Sequence, residues 1–544
     1  MFKLLYIGSS SACFELSNDA VYYSGREYRV ILDGKVCGAA RGENVFSLFG
    51  LRPAARYRVG TTLDGYSLEV ETAAEAACLD VRAFGAAGDG VTNDRRALQA
   101  AIDCCPKNGR VLVAGGTFYT GPLVLKSHMT LEIRRDAKLL ASADPGDYWI
   151  IPGEVDRTET IGADAWETGE ADGTIADGCT SIDREPPRRA AGSKLQCASW
   201  EGEPRACYQS FLSAFHAQNI CLTGEGTLDG NGINGGWYAD CKTQKTSRPR
   251  LLFINGCKNV TVHGLNAVNA ASWTYHPFFS KKVGFYNIRV YAEKDSPNTD
   301  GCNPESCDGV KIIGAVFSTG DDCVAVKSGK YYMGTTYQTP CKNITVRNCL
   351  MRLGHGGVVL GSEMSGGIQN LKVSQCLFSH TDRGLRIKTR RGRGRAVIDG
   401  VEFENIRMEN VLTPLVLNMF YFCDSDGETE YVWSKERLPV DERTPRLGKI
   451  RFKNMVCVDC EYAAGFVYGL PEQPIEEVSI EHTCFLMKAD AQAGFPAMMS
   501  FARECRKEGL HFTNVKRVRI KDVVFSGLSG DEMTTEQVGT VEYL

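Results

Sequence analysis

Lys258-Asn259-Val260-Thr261-Val262 and Lys342-Asn343-Ile344-Thr345-Val346 are two copies of one pattern, polar–polar–apolar–polar–apolar. It returns as Gln218-Asn219-Ile220-Cys221-Leu222, Asp308-Gly309-Val310-Lys311-Ile312, Gln369-Asn370-Leu371-Lys372-Val373, Asp399-Gly400-Val401-Glu402-Phe403, Glu476-Glu477-Val478-Ser479-Ile480 and Lys516-Arg517-Val518-Arg519-Ile520. The copies starting at 308, 342, 369 and 399 follow one another by 34, 27 and 30 residues. The longer gaps elsewhere leave room for loops or a degenerate copy. Apolar residues two apart mark a strand with one buried face. Coils of about 25 residues holding several short strands are the signature of a parallel β-helix. Leucine-rich repeats share the period, but the L-x-x-L-x-L pattern is missing.

At 544 residues the chain is too long for one ordinary core, which predicts more than one domain. The expected division is a small β domain over 1–76 and a solenoid over 77–544. Strand-like runs at 27–32, 45–48, 57–62 and 67–72 are separated by turn residues. The stretch Leu51-Arg52-Pro53-Ala54-Ala55-Arg56-Tyr57 resembles the tyrosine corner of a fibronectin type III β-sandwich. A helix is expected at about 94–105, capped by Asn93 and burying Leu98, Ala101 and Ile102, where it would close the end of the solenoid. The fold class is all-β.

The apolar run in the N-terminal Met-Phe-Lys-Leu-Leu-Tyr-Ile-Gly is too short for a signal peptide and reads as a strand. With 22 scattered cysteines taken as buried thiols, a cytoplasmic, disulfide-poor protein is expected. Cys457 and Cys460 form a C-x-x-C with no second pair, so no metal or other cofactor is expected. No apolar run approaches a membrane span. A net charge of −4 gives no field for nucleic acid. Residues 383–395 depart from that balance with seven basic side chains, a patch suited to an anionic ligand. Gly230-Asn231-Gly232-Ile233-Asn234-Gly235 fits G-x-G-x-x-G without the strand-to-helix setting of a dinucleotide site. Irregular stretches at 144–206 and 328–339 are expected to stand as loops beside a groove.

Chemistry-bearing residues fall on four coils in order. They are Asn298-Thr299-Asp300-Gly301, Gly320-Asp321-Asp322, Gly354-His355-Gly356 and Arg383-Gly384-Leu385-Arg386-Ile387-Lys388. Equivalent positions of successive coils stack about 4.8 Å apart, so residues distant in sequence can share one site. Arg386 and Lys388, two apart on a strand, share a face. Asp321 and Asp322 are adjacent and can share a site only where the backbone leaves strand geometry, which Gly320 would permit. Crowded carboxylates repel, so one should keep a proton for a leaving group while another polarises water, the pairing that glycosidic hydrolysis needs. Arg386 and Lys388 would hold a substrate carboxylate.

These four motifs, in this order, resemble glycoside hydrolase family 28, the polygalacturonases, over roughly residues 80–525. The resemblance implies a right-handed parallel β-helix and hydrolysis of α-1,4-linked galacturonate with inversion. It makes Asp321 the general acid, Asp300 and Asp322 the pair that activates water, and His355 a residue tuning the acid. It makes Asn298, Arg383, Arg386, Lys388, Arg391 and Tyr421 substrate contacts. The N-terminal domain and the long insertion look most like bacterial exo-acting members, which predicts a galacturonate oligosaccharide or polysaccharide as partner. An endo-acting relative is the near alternative. A pectate lyase would need Ca²⁺ and a basic proton acceptor, and a carbohydrate-binding solenoid would turn nothing over.

Overall fold

The computed structural model describes residues 1–156, 194–239, 241, 245–423 and 425–544. A set of 29 strands winds through Cys78–Tyr543 as a parallel β-helix. Its coils present three faces. The repeated motifs all lie on the first, where Val260 and Val262 stack on Val283 and Phe285, and these on Val310 and Ile312. Two gaps between motifs are filled by degenerate copies, Lys281–Tyr286 and Lys449–Cys460.

The second polar residue of the motif has a physical reason. Asn219, Asn259, Lys282, Asn343 and Asn370 all have φ between 54° and 58°. Asparagine and glycine tolerate this left-handed turn best, and Gly309 and Gly400 take the same place. The asparagines also bond along the stack, Asn259 Nδ2 to Asn219 Oδ1 at 2.6 Å and Asn370 Nδ2 to Asn343 Oδ1 at 3.2 Å. The interior is a continuous apolar column that includes Cys257, Cys307, Cys349, Cys376, Cys457 and Cys460. Among the described residues every cysteine is free.

The helix spans Arg95–Cys104 and buries Leu98, Ala101 and Ile102 against the first coils. Its N-cap is Asp94, not Asn93. The Asp94 carboxylate turns away to accept the N–H groups of Ala87 and Gly88, at 2.6 and 2.9 Å, and so ties the Gly-rich loop to the helix start.

Residues Phe2–Glu71 form two antiparallel sheets. Phe2–Ile7, Ser11–Leu16 and Val45–Phe49 make one. Lys35–Glu43, Tyr23–Leu32, Arg56–Thr61 and Asp64–Glu71 make the other. Phe14, Tyr28, Val30, Phe46 and Val59 fill the space between them as a small β-sandwich. The Tyr57 hydroxyl accepts the N–H of Arg52 at 2.8 Å.

This sandwich lies along one lengthwise column of the β-helix. Glu132, Thr223, His263, Tyr286, Ile313 and Arg347 are paired neighbours in consecutive coils. Ser10 donates to Glu132 at 2.6 Å, while Ser11 pairs with Thr223 at 2.8 Å. His263 Nε2 meets Ser47 at 2.9 Å, and burial pulls this histidine down to about 3. Glu15, 2% exposed, takes Arg347 Nε and Nη2 at 2.6 and 2.8 Å and Asn348 Nδ2 at 2.7 Å.

Candidate active site

Asp300, Asp321, Asp322, His355, Arg386 and Lys388 sit on the third face. Its strands here are Val324–Val326, Val358–Gly361, Arg383–Lys388 and Thr413–Asn418. Val324 pairs with Cys302 on one side and Val358 on the other, and Val358 with Leu385. Counting back two residues from each gives a column Asp300, Asp322, Gly356, Arg383. Main-chain bonds follow it: Gly301 N to Asp322 O, Cys323 N to Gly356 O and Gly357 N to Arg383 O. Counting back three gives the adjoining column Thr299, Asp321, His355, Asp382.

Asp321 and Asp322 share the groove because the chain bends before the strand begins at Val324. The reason for Gly320 differs from the one expected: its φ is not left-handed. A Cβ there would lie 2.5 Å from Glu293 O and 2.7 Å from Ser296 N, so glycine is required by the close passage of the preceding coil. The glycines beside His355 are also close approaches, since a Cβ on Gly354 would meet Asp321 O at 2.7 Å.

The carboxyls differ in environment. Asp322 is 2% exposed; Lys388 Nζ donates to its Oδ2 at 2.9 Å and Arg386 Nη1 lies 3.7 Å from Oδ1. Burial pushes Asp322 up, but these cations win and hold it below the usual carboxylate range. Its Oδ1 is buried without a hydrogen-bond partner. Asp321 is raised by burial and by the charge of Asp322. Asp300, which accepts Asn303 Nδ2 at 2.8 Å, is raised by burial and then by Asp321. One ionised carboxylate thus stands beside two that favour the proton, the division acid–base catalysis requires.

The remaining predicted residues separate. Lys388 and Arg386 face the groove, yet both already contact Asp322, and Arg386 Nη2 touches Met498 Sδ at 2.7 Å. Tyr421 is buried, with its ring 5.6 Å from Lys388 Nζ. Asn298 turns its Oδ1 to Arg248 Nη2 at 2.6 Å, with its own φ at 55°. His355 Nδ1 pairs with Asp382 Oδ2 at 2.9 Å.

Two predicted substrate contacts are engaged within the fold. Arg383 spends Nε and Nη2 on the carbonyls of Pro496 and Phe495, at 2.8 and 2.6 Å, and Nη1 on its own neighbour Asp382 O. It clamps a chain segment beside the groove. Arg391 is 2% exposed and grips Glu472 by Nε–Oε1 at 2.6 Å and Nη2–Oε2 at 2.9 Å. It also donates to the carbonyls of Tyr431, Ser434 and Glu436. Part of the expected basic patch is likewise internal, since Arg390, Arg391 and Arg393 are all at most 3% exposed. Arginine density in the sequence cannot distinguish a ligand patch from cations consumed by the fold.

Residues unmarked in the sequence complete the site. Arg248, 1% exposed, braces the Asn298 turn through Pro297 O at 2.8 Å. Lys327 pairs with Glu363 at 3.0 Å and sits 4.7 Å over the Trp273 ring. Asp382 stands three residues before Leu385, as His355 stands three before its partner Val358, and so lies beside His355 in the next coil. Met498 comes from a segment more than 100 residues away.

Of the 144–206 insertion, 157–193 lie outside the described residues. Trp200 stacks on Trp273 at 5.5 Å, nearly parallel at 10°. Asn255 Nδ2 holds the carbonyls of Gln196 and Cys197, and Ser199 Oγ reaches Glu305 at 3.3 Å. The 328–339 stretch is not only loop, since it contains the helix Tyr331–Tyr337. Tyr332 and Tyr337 donate to Glu154 of the insertion at 3.0 and 2.5 Å. Among the described residues, Cys505, Glu508 and His511 bring three donor atoms of metal-ligand type within 4.8 Å. Arg503 already clamps Glu508 at 2.5 and 2.6 Å, and the cluster shares no residue with the carboxylate site.

The chain is similar to known proteins in sequence and in fold. Residues 190–432 match the family described as "Glycosyl hydrolases family 28". An endo-polygalacturonase of Pectobacterium carotovorum subsp. carotovorum is 31% identical over 340 residues, 60% of this chain and 71% of that protein. An exo-poly-alpha-D-galacturonosidase of Dickeya chrysanthemi is 28% identical, covering 75% and 67%. The solved structure of a Yersinia enterocolitica family 28 exopolygalacturonase shares the fold with a TM-score of 0.70 at 19% identity, over 99% of this chain and 98% of that one. The three aspartates, His355, Arg386 and Lys388 all fall within the matched span and on one face, and the chain is a member of glycosyl hydrolases family 28.

Proposed function

We propose that this glycoside hydrolase cleaves α-1,4-linked galacturonate with inversion, acting from chain ends on oligogalacturonides. The carrying observation is the split among the stacked carboxyls: Lys388 and Arg386 hold Asp322 below the usual carboxylate range, while burial and the charge of Asp322 raise Asp321 above it. Asp321 donates to the departing glycosidic oxygen. Asp322, with Asp300 beside it, takes the proton of the attacking water. Lys388 keeps two ammonium protons after serving Asp322, and Arg386 presents its fork, so both can hold the sugar carboxylate. Inversion follows from the family resemblance.

Exo action is supported by the wall that Gln196, Cys197, Ser199 and Trp200 build over the third face. Asn255 and Glu305, which anchor it, stand on coils at and before that of Asp300. Such a wall shortens the groove on the N-terminal side. Digestion of a size-defined galacturonate oligomer tests the reading. Early release of only mono- or digalacturonate is expected. A ladder of intermediate lengths refutes exo action, and no turnover refutes galacturonate as substrate.

The 1–76 unit reads as a fibronectin type III-like domain before a catalytic domain over 77–544, a division supported by the three-plus-four strand sheets and the Tyr57–Arg52 bond. A cytoplasmic location is supported by the free cysteines. Cell fractionation of the native host, with the protein appearing outside the cytoplasm, would refute it.

A further inference from the structure

We propose that Asp382 is a positioning residue that holds His355 charged and turned toward Asp321, so that the imidazolium stabilises the carboxylate left when Asp321 gives up its proton. The proposal rests on the hydrolytic reading of Asp321. The column places the three in consecutive coils: His355 N donates to Asp321 O at 3.3 Å and Asp382 N to Gly354 O at 3.0 Å. Asp382 Oδ2 takes Nδ1 at 2.9 Å, which fixes the ring and leaves the Nε2 edge for the groove.

The charged groups around the pair agree with this arrangement. Asp382, Asp321 and Asp322 face His355, and its affinity for the proton is raised, first by the bond to Asp382. Against the cost of burial, His355, Arg383 and Arg386 keep Asp382 ionised. Of the influences on His355, the bond to the Asp382 carboxylate on the next coil is the largest. No bond to the sugar passes through His355: the proton of Asp321 goes to the leaving oxygen, and that of water goes to Asp322. His355 acts on the charge that remains. Its side chain and that of Asp382 are 47% and 46% exposed, so either can be replaced without opening the core.

The test uses the full-length protein. The His355 ring is titrated by NMR in the wild type, D382N and D382E, with the signal assigned by its loss in H355Q. D382N should lower the titration midpoint of His355 and move the alkaline limb of kcat/KM to lower pH by the same interval. At a pH above the limb the loss should be roughly tenfold, the weight of one charge-assisted hydrogen bond at a half-exposed site. D382E should restore both, and H355Q/D382N should match H355Q alone. An unmoved midpoint, or an alkaline limb that stays in place while the midpoint moves, overturns the proposal. If no form hydrolyses galacturonate oligomers, the functional reading fails, while the ring titration still reports on the pair.

Discussion

Replacing Arg391 by methionine separates a cation of the fold from a cation of the site. The guanidinium is 2% exposed and Glu472 is 6% exposed. Their two bonds, 2.6 and 2.9 Å, form a buried fork–fork pair. Removing one partner strands the other charge, at a cost of about 3–5 kcal/mol. The carbonyls of Tyr431, Ser434 and Glu436 lie in a partly exposed stretch, where water can replace the lost donors, so they add little to that figure. A protein of ordinary stability, about 5–15 kcal/mol, would lose about a fifth or more of it. The assay is urea unfolding followed by tryptophan fluorescence, with kcat and KM measured on the folded protein. R391M should unfold at much lower urea with KM unchanged, and R391M/E472L should recover most of the loss by removing both charges. A raised KM at undiminished stability would refute the assignment and return Arg391 to the substrate.

Asp321→Asn should lower kcat by about 10²–10⁴ while sparing substrate affinity, whereas a solenoid that only binds sugar has no turnover to lose. A Cβ on Gly356 would lie 2.3 Å from Val359 Cγ2 and 3.3 Å from Asp322 Oδ1. G356A should therefore destabilise by about 1–3 kcal/mol and depress kcat more than KM, and an active, fully stable variant would show that this space is not needed. Glu15 is pushed up by burial but drawn further down by Arg347 and Lys3. Its folded-state affinity for the proton is below that of the unfolded chain, so its contribution is present above the ordinary carboxylate range and disappears as pH falls through the lowered value. Acid should loosen the sandwich before the solenoid, seen as early hydrogen exchange in Ser11–Leu16, and E15Q should flatten that pH dependence.

The repeat in residues 218–520 determined the parallel β-helix, the buried face of its recurring strand and the stacking of the four motifs, because strand alternation is a local requirement. The order Asp300, Asp321–Asp322, His355, Arg386–Lys388 was legible for the same reason: a solenoid turns sequence spacing into height along one axis. Degenerate copies such as Lys281–Tyr286 show in the sequence only as longer gaps in the repeat, because packing tolerates a motif that chemistry has blurred. Tertiary structure alone decided which charges serve the site. Arg386 and Arg391 are five residues apart and both arginine, yet one meets Asp322 across the groove and the other is spent on Glu472. That distinction depends on Glu472 and Met498, brought in from other coils and loops, and a carboxylate 81 residues away leaves no trace in the local pattern. The same holds for Gly320, whose need for a bare Cα comes from the backbone of a neighbouring coil and not from its own φ.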